Sequence, residues 1–197
     1  MAKTIIFDLG GVLAHLDWDK VCAPLARLSD QTYDAVMAEV QNGPIVELSM
    51  LGHLTPGEFH LALCAKISAD IPFDPFVDIW NGILSADDDM ASLVEELVSE
   101  HTLALASNTD AIHLAFAREN FSVMGAFERS FLSYEMGLLK PDPAYFHHVL
   151  YGLWASPENC VFIDDRPENV RSAKNLGING LVFESIDKLK SDLESIL

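Results

Sequence analysis

The sequence contains few positively charged residues. Twelve Lys and Arg residues stand against 30 Asp and Glu residues in a chain of 197, which gives a formal net charge of -18. Such an excess of negative charge disfavours nucleic acid and anionic membrane surfaces as partners, because both attract positive charge. An anionic substrate would have to find positive charge locally, from a metal ion, a Lys side chain or a helix N-terminus.

Cysteines and long apolar runs are also scarce. Cys22, Cys64 and Cys160 are odd in number and have no close pairing, so we expect buried, reduced thiols rather than a disulfide framework or a metal finger. No apolar stretch is long enough to predict a membrane-spanning helix. Asp8 interrupts the apolar run near the N-terminus, which argues against an export signal. These features favour a cytoplasmic protein without a membrane partner.

The most informative stretch is Ile-Ile-Phe-Asp-Leu-Gly-Gly-Val-Leu at residues 5–13. Its apolar start predicts a buried strand of a parallel sheet, which Gly10 and Gly11 would end. Asp8 would then lie at the carboxyl end of that strand, where open α/β sheets bind their ligands. A buried carboxylate is unfavourable unless it is paired or bound to a cation. On this stretch alone, a chemical role for Asp8 and a simple turn-forming role are both open.

The order of the predicted elements indicates the fold class. Helical patterns follow one another from about residue 18 to residue 84, and strands then alternate with helices. One strand, a helical block and strict alternation predict an α/β protein with a doubly wound, Rossmann-like parallel sheet. We predict a core formed by residues 1–14 and 87–197. Residues 15–86 would form an all-helical cap over the end of the first strand.

Polar residues recur where later strands end. Ser107-Asn108 follows one apolar run, Asp164-Asp165 follows another, and Lys140 precedes a predicted helix. Ser107-Asn108 could simply cap a helix, and a lone Lys140 is usually solvated. Adjacent carboxylates at a buried strand end are harder to explain, because their repulsion raises the pKa of each unless a cation relieves it. A divalent ion with oxygen ligands would do so. With Asp8, these residues predict one site at one edge of the sheet.

Four segments, in chain order, resemble the four motifs of the haloacid dehalogenase (HAD) superfamily. They are Phe-Asp-Leu-Gly-Gly-Val-Leu at residues 7–13, Ser-Asn-Thr at 107–109, Lys-Pro-Asp-Pro at 140–143 and Phe-Ile-Asp-Asp at 162–165. The resemblance spans nearly the whole chain, and the helical insert resembles the C1-type cap of that family. The Asp-Asp-x-x-x-Asn segment at residues 164–169 is similar to one branch. This branch of the family contains phosphatases of the glucose-1-phosphate phosphatase kind and the N-terminal phosphatase domains of soluble epoxide hydrolases.

The resemblance implies a magnesium-dependent phosphatase that acts on a small phosphorylated metabolite, with a sugar phosphate among the candidates. Asp8 would attack phosphorus and form an aspartyl-phosphate. Mg²⁺ would be held by an oxygen of Asp8, by the backbone carbonyl of Gly10 and by Asp165. Asp164 would lie beside the ion or bind it through water.

The resemblance also implies how the phosphoryl group is held. Ser107 and the backbone amide of Asn108 would bind phosphoryl oxygens, and Gly11 and neighbouring amides would complete the cradle. Lys140 would add positive charge and steady Asp8. The acidic chain would thereby obtain the local positive charge that its composition lacks.

Gly10 departs from the family pattern. Most phosphatases of the family carry a second Asp two residues after the nucleophile, where it serves as general acid and then base. Three hypotheses follow: a phosphatase that is slow or prefers good leaving groups, one in which His15 or Asp17 moves the proton, or a pseudoenzyme that binds phosphate esters without turnover. The glucose-1-phosphate phosphatase-like branch also has Gly at this position, which favours an active enzyme.

A 2-haloacid dehalogenase is the enzymatic alternative, because the dehalogenases of the family also lack that second Asp. They use no magnesium, however, and their fourth motif lacks paired acids, so Asp164-Asp165 weighs against this alternative. The sequence predicts neither the substrate nor the oligomeric state. Candidates for contacts with the leaving group are Trp18, His15, Glu47 and Phe59, although aromatic residues at helical spacing usually pack in a core.

Overall fold

The computed structural model describes residues 3–197. Its strands are, in chain order, β1 (Thr4–Phe7), β2 (Ala14–Leu16), β3 (Leu84–Ala86), β4 (Thr102–Ser107), β5 (Arg129–Leu132), β6 (Cys160–Asp164) and β7 (Asn179–Val182). Its α-helices are α1 (Asp19–Arg27), α2 (Tyr33–Asn42), α3 (Pro44–Met50), α4 (Pro56–Ile67), α5 (Phe73–Asn81), α6 (Asp88–Leu97), α7 (Ala111–Asn120), α8 (Ser133–Met136), α9 (Pro143–Leu153), α10 (Pro167–Asn175) and α11 (Ile186–Ile196).

A parallel sheet of five strands, in the order β5-β4-β1-β6-β7, forms the centre of the molecule. Both faces of β1 are buried. Ile5 and Phe7 belong to one apolar cluster, and Ile6 belongs to a second cluster on the opposite face, which includes side chains of α9 and α10. Strands buried on both faces must be apolar throughout, which is why β1, β4 and β6 are visible in the sequence. The predicted doubly wound parallel sheet is confirmed.

The helices α1–α5 lie between β2 and β3, and we call them the helical insert. β2 and β3 pair with each other in antiparallel orientation, with His15 opposite Ser85, so the chain enters and leaves the insert side by side. We call this pair of strands, β2 and β3, the ribbon. The sequence predicts helices alone between residues 15 and 86, and the ribbon corrects that prediction. Each of its strands has three residues, which is too short for a period of two to be recognised.

The helical insert has an aromatic core of its own. Phe59 of α4 packs edge to face against Phe76 and Trp80 of α5, with ring centroids 5.7 and 4.9 Å apart. The start of α4 has the capping box that its sequence predicts, in which Thr55 and Glu58 bond each other's backbone amides. Phe59 is fully buried in this core, so it cannot contact a substrate in this conformation.

Two expectations from composition concern the thiols and membrane helices. Cys22, Cys64 and Cys160 are buried and unpaired, as predicted. Burial raises the pKa of Cys160 to about 11, so this thiol is protonated and unreactive at neutral pH. Among the described residues, no helix combines the length and apolarity that crossing a membrane requires.

Candidate active site

The carboxyl ends of three neighbouring strands bring the predicted site residues together. β1 pairs with β4 on one side and with β6 on the other. Asp8 directly follows β1, Ser107 ends β4 and Asp164 ends β6. A cavity of about 460 Å³ opens between this edge of the sheet and the helical insert, and Asp8, Ser107 and Asp165 line it.

Lys140 supplies a buried positive charge at the base of the cavity. Its ammonium group lies 2.9 Å from Asp8 Oδ1, and it donates to Asp164 Oδ2 at 2.7 Å and to the carbonyl of Ala106 at 2.7 Å. Burial alone would lower the pKa of Lys140, but the attraction of both carboxylates outweighs burial and raises it. Lys140 is therefore charged, and all three of its N–H donors are engaged. It is not a solvated surface residue.

The side chain of Asn108 holds the backbone of Lys140 in place. Its Nδ2 donates to the carbonyl of Lys140 at 2.8 Å, and its Oδ1 accepts from the amide of Lys140 at 2.8 Å. Oδ1 and one of the two N–H donors of the Asn108 amide are thus occupied. The backbone amide of Asn108 is the donor to a phosphoryl group that the resemblance implies.

Asp164 and Asp165 have different surroundings. Asp164 is fully buried and accepts from Lys140, from the backbone amide of Arg166 at 2.9 Å and from Asn169 Nδ2 at 2.9 and 3.1 Å. These contacts occupy most of its lone pairs, so Asp164 positions Lys140 and Asn169. Asp165 is partly exposed and lines the cavity. Of the adjacent acids, Asp165 is the one available to a ligand in the cavity.

Gly11 makes room for Asp165. Its φ of +79° lies in the left-handed region, and a Cβ there would come within 2.5 Å of Asp165 Oδ2. Gly11 lies beneath that carboxylate rather than on the cavity wall, so its predicted contact with a phosphoryl group stays a prediction. Gly10 is different, because its φ is not positive and the nearest atoms to a Cβ there would belong to the Leu16 side chain, at 3.3 Å.

The acidic residues of the site fit a divalent cation. One carboxylate oxygen from each of Asp8, Asp164 and Asp165 lies within 4.8 Å of the others, and Lys140 is their one buried cationic partner among the described residues. Burial raises the pKa of Asp8 to about 7, although Lys140 opposes the shift. Burial and the charge of Asp164 likewise raise the pKa of Asp165. A cation bound by hard oxygen ligands would relieve this repulsion.

A buried oxygen atom nearby supports the same interpretation. Oδ1 of Asn169 has no hydrogen-bond partner among the described residues, although Asn169 lines the cavity. A buried acceptor without a donor is unfavourable. Water molecules carried by a hydrated cation would supply the missing donor. The residues present therefore fit Mg²⁺, which usually keeps several of its waters.

A second polar cluster, which the sequence interpretation missed, connects the helical insert to α7. Asp110 is buried and accepts from Trp80 Nε1 at 2.9 Å, and it lies 3.2 Å from His113 Nδ1. His113 Nε2 lies 2.9 Å from the carbonyl of Trp80, and the two rings stack at 5.0 Å. A carbonyl and a carboxylate can only accept, so both ring nitrogens of His113 donate and the ring is an imidazolium.

The electrostatics of this cluster agree with a charged pair. Burial opposes ionisation of both groups, but mutual attraction lowers the pKa of Asp110 and raises the pKa of His113. All three side chains line the cavity. An Asp at the start of a predicted helix is a recognisable N-cap, but its partner Trp80 lies 30 residues away and leaves no local signal.

Several candidates from the sequence lie away from the cavity. His15 is in β2, where its side chain is 67% exposed and lies 3.3 Å from Asp87. Asp17 and Glu47 do not line the cavity either. The structure thus offers no support for His15 or Asp17 as the replacement general acid. Trp18, in contrast, lines the cavity as one of the predicted leaving-group contacts.

Known proteins resemble this chain in both sequence and structure. A family model described as haloacid dehalogenase-like hydrolase matches residues 2–177. D-ribitol-5-phosphate phosphatase from Bacteroides thetaiotaomicron is 25% identical over 205 residues, which cover 100% of this chain and 99% of that protein. Sesquiterpene phosphatase astK from Aspergillus oryzae is 28% identical over 183 residues, which cover 91% of this chain and 88% of that protein.

Other relatives are longer than this chain. The chain spans only 37% of the length of drimenol cyclase drtB from Aspergillus calidoustus, to which it is 26% identical over 100% of its own length. Among solved structures, the HAD family enzyme bt-2542 from Bacteroides thetaiotaomicron, in complex with magnesium and inorganic phosphate, is 27% identical and superposes with a TM-score of 0.86. That match covers 96% of this chain and 99% of the solved chain.

Proposed function

The chain belongs to the haloacid dehalogenase-like hydrolases, and we propose that it is a magnesium-dependent phosphatase that hydrolyses a small-molecule phosphate ester through an aspartyl-phosphate on Asp8. One observation carries this proposal: the carboxylate of Asp8 stands at the base of a cavity, against one buried ammonium group and beside two further carboxylates. Two relatives are named phosphatases, and a solved relative was crystallised with magnesium and phosphate.

One carboxylate oxygen of Asp8 has hydrogen-bond partners, and the other is available to attack a substrate. Oδ1 accepts from the backbone amide of Leu9 at 2.7 Å and pairs with Lys140. None of the described residues donates a hydrogen bond to Oδ2. In the proposed first step Oδ2 attacks phosphorus, the P–O bond to the leaving group breaks and the departing oxygen takes up a proton. Water then cleaves the acyl phosphate, which regenerates Asp8 and releases inorganic phosphate.

The remaining residues would bind charge that develops on the phosphoryl group. We assign Mg²⁺ to Asp8, Asp165 and the carbonyl of Gly10, with Asp164 in support through its bonds to its neighbours. When bound, the ion neutralises and orients the phosphoryl oxygens. Ser107 and the backbone amides of Asn108 and Gly11 would hold those oxygens. Lys140 favours the ionised form of Asp8 through the contact already described, against the burial that raises the pKa of Asp8 to about 7.

The organisation of the chain around this site is also a proposal. We infer that residues 1–14 and 87–197 act as the catalytic core and that residues 15–86 act as a cap that covers the phosphoryl site. The net charge of -18 supports the expectation that nucleic acid is not a partner. A cytoplasmic location likewise stays an expectation from composition.

Hydrolysis of p-nitrophenyl phosphate tests the proposal. Protein treated with a chelator should be inactive and should regain turnover with Mg²⁺. Asp8→Asn should reduce turnover to background while the circular dichroism spectrum is unchanged, because an amide of the same size is not a nucleophile. Asp74→Asn is the matched control, since Asp74 is exposed on α5 outside the cavity.

Two other results would support the alternatives. Chloride release from 2-chloropropionate without any divalent ion would reject the phosphatase and identify a dehalogenase. Calorimetric binding of phosphate with Mg²⁺, but without turnover of any ester, would identify a pseudoenzyme. The relatives' names include both a polyol phosphate and a sesquiterpene, so they do not decide which alcohol this chain releases.

A further inference from the structure

The β2–β3 ribbon and the helical insert contribute mainly apolar side chains to the cavity lining, and we call them the apolar wall. They include Leu16, Trp18, Val21, Val40, Val46 and Met50. Val21, Val40 and Val46 are buried, whereas Leu16, Trp18 and Met50 keep exposed surface. The last three can therefore touch a ligand, and the valines pack behind them in α1, α2 and α3.

Polar groups of the cavity offer little to the alcohol part of a substrate. On the side of the sheet most of them already have partners. Asp110 accepts from Trp80, and the Asn108 side chain holds Lys140. Arg166 pairs with Glu168, whereas Asn169 Oδ1 has no partner among the described residues. The insert contributes Gln41 and Asn42, which are exposed at the end of α2. A polyol carries a hydroxyl group on nearly every carbon, and hydroxyl groups buried against aliphatic side chains without partners are unfavourable.

We propose that the natural substrate is the phosphate monoester of an apolar alcohol, such as an alkyl or isoprenoid chain, and that Leu16, Trp18 and Met50 select it. The inference rests on the proposed function, because it places the phosphoryl group at Asp8. The volume of about 460 Å³ is that of a pocket which encloses a whole small ligand, well beyond the needs of phosphate alone. In the reaction the ester P–O bond breaks, and the released alkoxide takes its proton from solvent water.

Three phosphorylated compounds distinguish phosphoryl transfer from recognition of the leaving group. Acetyl phosphate has a leaving group too small to reach the apolar wall, so it reports phosphoryl transfer alone. Octyl phosphate, used below its micelle-forming concentration, and ribitol 5-phosphate compare an apolar with a polyol leaving group. We expect kcat/KM for octyl phosphate to exceed that for ribitol 5-phosphate by about 100-fold, since each hydroxyl group forced against the wall loses its partners.

Met50→Gln tests the wall, because the new side chain is similar in length but polar. It should lower kcat/KM for octyl phosphate by about tenfold, mainly through KM, and leave acetyl phosphate unchanged. Met37→Gln is the matched control: Met37 is also partly buried in the insert but does not line the cavity. Should Met50→Gln fail to fold, the ratio of the two esters in the wild-type chain decides alone.

The outcomes are distinct. A wild-type preference for ribitol 5-phosphate, or equal losses from both Met variants, would overturn the apolar-alcohol inference while the phosphatase stands. Failure to turn over acetyl phosphate as well as both other esters would overturn the proposed function, and the substrate class with it.

Discussion

Gly10→Asp tests whether the absent acid limits the reaction. The backbone accepts a side chain here, since the φ of Gly10 is not positive and the nearest atoms to a Cβ there are side-chain carbons of Leu16, at 3.3 to 3.7 Å. Leu16 is 36% exposed and can move aside. The backbone carbonyl proposed as a magnesium ligand is unchanged. The substitution therefore adds a carboxyl group to the cavity without demanding a new backbone conformation.

Two opposing effects set the size of the rate change that Gly10→Asp should cause. General acid help contributes about 100-fold to 10,000-fold, which corresponds to about 3–5 kcal/mol of barrier. Repulsion from a neighbouring carboxylate is of similar size, about 4 kcal/mol at 4 Å and an effective dielectric constant of 20. That repulsion raises the pKa of the new carboxyl group, which favours the protonated form that a general acid needs. We expect a net gain of about tenfold or more, confined to leaving groups that need protonation.

The informative quantity is the ratio of kcat/KM for octyl phosphate to that for p-nitrophenyl phosphate, with saturating Mg²⁺. An alkoxide must be protonated as it departs, whereas a nitrophenolate leaves unaided, so the ratio should rise. Gly10→Asn controls for size, because its amide has no acidic proton to give. An unchanged ratio in a folded variant that still binds Mg²⁺ would show that proton delivery does not limit the enzyme, and the reasoning about Gly10 would be refuted.

Two further variants test the geometry of the site. Gly11→Ala should weaken Mg²⁺ binding, measured by calorimetry, by at least about tenfold, because the new Cβ would lie 2.5 Å from Asp165 Oδ2 and the φ of +79° is strained for Ala; unchanged affinity would remove Asp165 from the ligand set. His113→Gln should destabilise the chain by about 3–5 kcal/mol at pH 6 in urea unfolding, because it leaves Asp110 buried without its cation. The pKa of folded His113 is raised, so its contribution is complete below pH 6.5 and is lost as pH rises through the raised pKa. The difference between wild type and His113→Gln should therefore shrink in alkaline buffer, and a difference that grows with pH would contradict the assigned imidazolium.

The sequence predicts those parts of the fold that depend on long buried segments. β1, β4 and β6 are apolar runs because both faces of the sheet are covered, and the order of elements then indicates the topology. Short or irregular elements are less predictable. β7 is Asn179–Val182 and contains Gly180, which weakens the β-propensity of the segment. α2 begins at Tyr33, and only the Thr32 side chain that caps it marks this start.

The site likewise has features that the sequence predicts and features that it does not. The meeting of Asp8, Ser107 and Asp164 at one edge follows from parallel strands alone, so residue pattern and topology together predict it. Contacts between distant segments do not follow. Nothing local shows that the Asn108 side chain holds Lys140, 32 residues away, because this contact depends on how the loops pack.

We propose that different parts of the chain carry out phosphoryl transfer and choice of substrate. Charged groups that line the cavity belong to the sheet edge and the helices that follow it, whereas the insert contributes uncharged side chains to the lining. The insert is joined to α7 through Trp80, whose indole and carbonyl bond Asp110 and His113. Substitutions on α1–α3 should therefore change which ester binds without changing the phosphoryl-transfer step. Loosening the Trp80 contact should impair esters that reach the apolar wall, such as octyl phosphate, and spare acetyl phosphate, because the insert would then be held less firmly against α7.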